Sequence, residues 1–172
     1  STPTPEKTNF TSSPNGWFNY EIINTSGNTE YNKSKYKQVF HDAFNKWDEV
    51  ITSAPGGWNI SVTIDFQVME DNILGGAYPT MAARTGDDFF FGQTFITDGK
   101  FMLNTKNMSG MYNNITDDGK NEMYYVSLHE IGHIIGIGYI TFMGEMVLQK
   151  PQISLRLNLS IKMHSMPQNH PQ

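Results

Sequence analysis

The chain of 172 residues contains no cysteine. Disulfides and thiolate chemistry are therefore excluded, and the redox compartment cannot be read from cysteine pairing. Charge is sparse and lopsided: 12 Lys and Arg against 17 Asp and Glu leave a net charge of −5, which argues against a nucleic-acid-binding surface. No apolar run approaches the roughly 20 residues of a membrane span. No signal peptide is visible, and the chain opens Ser1-Thr2-Pro3-Thr4-Pro5 without a Met, as expected of a processed or trimmed form. The C-terminal part lacks more still, with no acidic residue after Glu145 and no aromatic after Phe142. Internal repeats are absent.

Aromatics, by contrast, are plentiful: eleven Phe, eight Tyr and three Trp, in a length that suffices for one domain with a real core. Asn-x-Ser/Thr sequons are frequent too. Seven occur, at Asn9, Asn24, Asn32, Asn59, Asn107, Asn114 and Asn158, where chance in such a composition gives about two or three. An Asn- and Ser/Thr-rich chain makes sequons freely, but the excess leans toward a secreted or extracellular protein.

Residues 1–34 form a polar segment with turn signals at Pro14-Asn15-Gly16 and Ser26-Gly27-Asn28, flanking a candidate strand over 17–23. From Tyr36 to Ile51, Val39, Phe40, Ala43, Phe44, Trp47, Val50 and Ile51 recur at spacings of three and four, which predicts a helix with one apolar stripe and Ser34 as its N-cap. His41 lies beside that stripe and reads as a surface or packing histidine. Ile60, Val62, Ile64, Phe66 and Val68 alternate with polar residues, the pattern of a strand with one buried face. Residues 72–80 read as a Gly-rich turn, Phe89-Phe90-Phe91 as a short apolar run, Phe101-Met102-Leu103-Asn104 as another strand, and 107–120 as a polar loop. Ile153, Leu155, Leu157, Leu159, Ile161 and Met163 alternate again, predicting one long strand that ends near His164.

Between these last segments stands the run Val126-Ser-Leu-His-Glu-Ile-Gly-His-Ile-Ile-Gly-Ile-Gly138. Residues four apart share a helix face, so His129 and His133 can point both imidazoles at one ion, with Glu130 one step round the helix. Tyr124, Tyr125, Val126, Leu128, Ile131, Ile134 and Ile135 wrap this helix in apolar residues, so it is expected to be buried, its start favoured by Asp117 or Asp118. A coincidental polar patch is the bland alternative, but a buried helix carrying two His and one Glu needs partners, and a metal supplies them. The chemistry of the set is that of a catalytic zinc (Zn2+) site: His129 and His133 as ligands, Glu130 as general base. Helix, strands, then motif helix, without strict alternation, predict an α+β domain with the metal helix packed beneath a sheet.

Three stretches carry a family resemblance. Leu128–Gly138 resembles the active-site helix and glycine turn of metzincin-type zinc metallopeptidases, most closely the leishmanolysin-like group. Ile73-Leu-Gly-Gly-Ala-Tyr-Pro-Thr80 is similar to a Gly-Ala-x-Pro-Thr stretch upstream of that helix, and the helix at 36–51 followed by the strand at 60–68 completes the likeness. The resemblance implies a zincin-like metallopeptidase domain over residues 1–145, built on a twisted mixed sheet with a buried active-site helix. Residues 146–172 are an atypical strand and tail in place of a full C-terminal subdomain. It also implies a zinc endopeptidase acting on protein or peptide substrates, with Glu130 taking a proton from the attacking water and an edge strand, for which Phe101–Asn104 is the candidate, as substrate platform.

The resemblance breaks at one point. Compact metzincins place a third His six residues after the second; Gly136 stands where their bend does, but position 139 is Tyr139. In leishmanolysin-like enzymes the third His comes later. His164 is the leading candidate here; His170, Glu145, or no third ligand within this chain are the alternatives. Met143, Met146, Met163 and Met166 are candidates for a methionine turn, none in a convincing copy. A catalytically inactive metallopeptidase-like domain that binds protein is the second reading. Intact Glu130 favours the enzyme, because a purely structural site has no use for a base. The sequence sets neither specificity nor oligomeric state.

Overall fold

The computed structural model describes residues 10–53, 58–85, 93–136 and 154–155. Strands β1 (Thr11–Ser12) and β2 (Phe18–Ile22) precede a short 3-10 turn at Thr29–Asn32 and helix α1 (Ser34–Val50). There follow β3 (Ile51–Ser53), β4 (Ile60–Gln67), β5 (Gly75–Thr85), β6 (Gln93–Asn104), α2 (Met108–Asn113), α3 (Glu122–Ile134) and β7 (Ser154–Leu155). Five strands form one mixed sheet in the order β1-β2-β4-β6-β5: β2, β4 and β6 run parallel, and β1 and β5 pair antiparallel at its two edges. The expected α+β class, mixed sheet and buried motif helix are borne out. β3 and β7 pair separately, with Ile51 opposite Leu155.

The apolar stripe of α1 forms as its spacing predicts: Tyr36, Val39, Phe40, Ala43, Phe44 and Trp47 are buried. They meet the alternating face of β4, where Ile60, Val62, Ile64 and Phe66 are buried, while Val68 lies beyond the strand and is exposed. Phe40 packs edge-on to Phe101 and tilted on Phe66, and Tyr20 stacks on Phe44. Each such side chain, fully withdrawn from water, stabilises the fold by about 1.5–3 kcal/mol before conformational entropy is charged against it.

Four local expectations change. Lys33, not Ser34, occupies the N-cap of α1, and Ser34 is its first helical residue. The polar 107–120 stretch includes α2, formed because Met108 and Met111 have a core to enter. The Gly-rich 72–80 segment is no turn: from Gly75 onward it is β5, an edge strand. Its proline explains how. The Leu74 carbonyl accepts from the Asn104 N–H, so it points toward β6; by alternation Gly76 and Tyr78 also point there, whereas Gly75, Ala77 and Pro79 point outward. Pro79 therefore removes no ladder hydrogen bond, and the register breaks immediately after it. Finally, Phe101–Asn104 is the end of β6 and lies between β4 and β5 with Phe101, Leu103 and Asn104 buried; it is a core strand, and the edge is β5.

His41 is a packing histidine, held between the Tyr20 hydroxyl at 2.6 Å and the Asn45 amide at 3.0 Å. Phe89–Phe91 and the tail strand expected beyond Leu155 lie outside the described residues.

Candidate active site

Helix α3 carries the motif, and local chemistry sets its ends. Asn121 is the N-cap, its side chain accepting from the Tyr124 N–H at 2.9 Å, and Glu122 stands in the first turn, where the helix dipole favours a carboxylate. Asp118 does not begin the helix; it lies in the preceding turn, accepting from Thr116, Tyr125 and the Lys120 N–H. The helix ends at Ile134, and Gly136 follows with φ +93°, a conformation glycine adopts without a steric penalty.

One side of α3 is pressed on the sheet so closely that a Cβ on Gly99 of β6 would stand 2.5 Å from the Ile134 side chain. Its inner face buries Met123, Val126, Leu128, Ile131 and Ile134. The two histidines, four residues apart, share one flank of the helix. Their Nε2 atoms converge to 2.9 Å, with the rings nearly perpendicular at 87°. Two imidazole nitrogens shared by one zinc at about 2.0–2.1 Å each stand roughly 3 Å apart, so this donor pair fits the ion in separation and in chemistry. The protein packed around the His129 ring, and then the neighbouring His133 ring, lower the pKa of His129 although one edge is exposed. The neutral form, which is the ligating one, is thereby favoured.

Glu130 is buried at 8 % exposure. Burial pushes its carboxyl from an ordinary 4.5 up to about 7, against the pull of a hydrogen bond from the Ala77 backbone N–H. That N–H is one of the outward-pointing groups of β5. The edge strand thus holds the motif carboxylate directly, a contact the sequence does not announce because any residue but proline supplies the donor.

Among the described residues no group of three or more His, Asp or Glu side chains converges as a metal cage. His164, His170, Glu145, Tyr139 and the four methionine candidates lie outside the described residues.

The matrixin family model matches residues 13–153, from the loop before β2 through α3 and beyond. The chain belongs to the matrixin family. Matrixins are zinc-dependent metalloproteases of the metzincin type, so the reading from Leu128–Gly138 is borne out at that level. The match runs through Tyr139, so membership does not itself place a third histidine there. No curated protein and no solved structure matches the chain.

Proposed function

We propose that the chain is a zinc endopeptidase in which His129 and His133 hold the metal and Glu130 is the general base. The observation that carries this reading is the convergence of the two imidazoles beside a buried carboxylate tied to the sheet edge. Zinc in such a site supplies a Lewis acid that polarises a carbonyl and brings water within reach of deprotonation near neutral pH. Glu130, buried beside the histidine pair, accepts the proton of the attacking water and returns it to the leaving amine. The outer edge of β5, where Ala77 already gives its N–H to Glu130, suits an extended peptide added as a further strand. Gly75 has no room for a side chain, since a Cβ there would stand 2.9 Å from the Met102 carbonyl and 3.3 Å from Val126, so β5 lies close against β6 and α3 at this point.

His164 remains our proposal for the third ligand. Its support is topological: β7 pairs with β3, directly after α1, and His164 follows Leu155 by nine residues. The narrower leishmanolysin-like likeness is likewise a proposal, supported by Ile73–Thr80 and by Tyr139 in place of a third His. Secretion is proposed on the sequons, of which Asn32, Asn59 and Asn114 are exposed. Passage through a secretory pathway is expected to yield an endoglycosidase-sensitive protein, and an unshifted band would count against it.

The function is tested by a peptide-library and casein assay on wild type and Glu130→Ala, alongside a zinc titration of both. Hydrolysis by wild type alone, with zinc retained by both, is the expected result. Stoichiometric zinc without hydrolysis by either supports instead the non-catalytic protein-binding reading, which Tyr139 favours.

A further inference from the structure

Helix α3 is gripped from its second side by one residue of α1. Trp47 is 9 % exposed, and its indole Nε1–H donates at 2.9 Å to the backbone carbonyl of Leu128. Within α3 that carbonyl is also the acceptor for the Gly132 N–H, four residues on. The same indole covers Gly132: a Cβ there would meet Trp47 Cζ2 at 3.3 Å, so glycine is what lets the ring lie against the helix backbone. Leu128 immediately precedes His129, and Gly132 immediately precedes His133. The two points of contact therefore bracket the single helical turn that joins the two imidazoles. A side-chain donor inserted into the helix ladder locally sets its bend, and the bend of this turn sets the 2.9 Å between the Nε2 atoms.

We propose that Trp47 is a positioning residue for the histidine pair, clamping the turn between His129 and His133 so that both nitrogens meet one zinc ion. This rests on the zinc reading above. The indole reaches the ligands through the backbone, and its removal is expected to act as loss of an outer-shell partner does, by loosening the first-shell geometry.

The molecule contains a matched control. Trp58 is 6 % exposed and its Nε1–H also donates to a backbone carbonyl, that of Ile96 at 2.8 Å, but this acceptor lies on β6 and not on α3. W47F and W58F each remove one buried indole hydrogen bond and similar volume. Zinc affinity is measured by competition with a chromophoric chelator on wild type, W47F, W58F and H129A, with folding of each followed by circular dichroism. W47F is expected to bind zinc about 10–100-fold more weakly, and W58F to stay within about twofold of wild type, as an independent site should. If W47F does not fold, G132A carries the test, since its methyl displaces the indole by tenths of an ångström while the fold remains. Affinity lost in G132A but not in W58F then supports the clamp. Unchanged affinity in folded W47F, or in G132A where W47F does not fold, or an equal loss in W58F, overturns it while leaving the zinc site standing. Absence of zinc binding by wild type, or binding that H129A leaves intact, overturns the zinc reading itself and the clamp with it.

Discussion

Two buried carboxylates in this molecule teach opposite lessons. Asp65, on β4, is 0 % exposed and Glu130, on α3, 8 %. Burial alone pushes both pKa values up. At Asp65 the rise is overcome: the Thr25 N–H at 2.8 Å and hydroxyl at 2.8 Å, the Phe66 N–H at 2.9 Å and the Lys100 ammonium at 3.4 Å all favour the charged form, and the carboxyl ends below its ordinary value. At Glu130 a single donor among the described residues, the Ala77 N–H, leaves burial the winner, and the carboxyl stands at about 7. The number of donors, more than depth, separates a carboxylate that ties the fold together from one left able to exchange its proton.

The comparison breaks most visibly by substitution. Glu130→Gln keeps the side chain's volume and its contact with Ala77 but removes the proposed base. Peptide hydrolysis is expected to fall about 10²–10⁴-fold, while denaturant unfolding of the metal-free protein shows equal or higher stability, because a costly buried charge has gone. A stability loss above about 1 kcal/mol in that variant would mean that Glu130, like Asp65, is structural. Asp65→Ala should do the reverse. Stripping the acceptor from Thr25, Phe66 and Lys100 is expected to cost about 3 kcal/mol in chemical denaturation, with zinc affinity of the folded fraction unchanged.

The same contrast explains what was legible in the sequence. The motif, the α1 stripe and the β4 alternation could be read because periodicity is a property of consecutive side chains, and His129, Glu130, His133 and Gly136 fall where that reading puts them. What escaped is carried by the backbone or by distant pairing. Residues 72–80 read as a turn because glycine and proline usually punctuate; only the place of Gly75–Thr85 at the sheet edge, with Pro79 facing outward, makes that stretch a strand. Ala77 could not be singled out because its contribution is an N–H. Trp47 was placed in the core correctly, but no pattern in 36–51 shows that its indole reaches Leu128. Asp65 sat in a polar position of an alternating strand, where the ordinary expectation is solvent; Thr25, forty residues away, closes over it.

A third substitution probes how tightly α3 is seated. Gly99→Ala places a methyl 2.5 Å from the Ile134 Cγ2 atom, and the helix must shift. A destabilisation of about 1–3 kcal/mol in denaturant titration is expected; a neutral result would show that α3 floats on the sheet, and the fixed separation of its histidines would lose its support.

The gentlest test is pH, because the two carboxylates should bend the stability curve in opposite directions. Asp65 has a depressed pKa when folded, so its contribution is complete above the unfolded value, about 3.9, and is lost as pH falls through the folded one. Glu130 has a raised pKa when folded, so the folded state binds its proton more tightly than the unfolded state does. Its effect is a loss of stability as pH rises from 4.5 through about 7. Melting temperatures of wild type in chelator are therefore expected to decline across that interval by a few degrees, with Glu130→Gln flattening the decline and leaving the acid limb intact. Asp65→Asn should flatten the acid limb and leave the decline. If Glu130→Gln keeps the wild-type slope between pH 4.5 and 7, the carboxyl is not held up by burial, and the contrast with Asp65 fails.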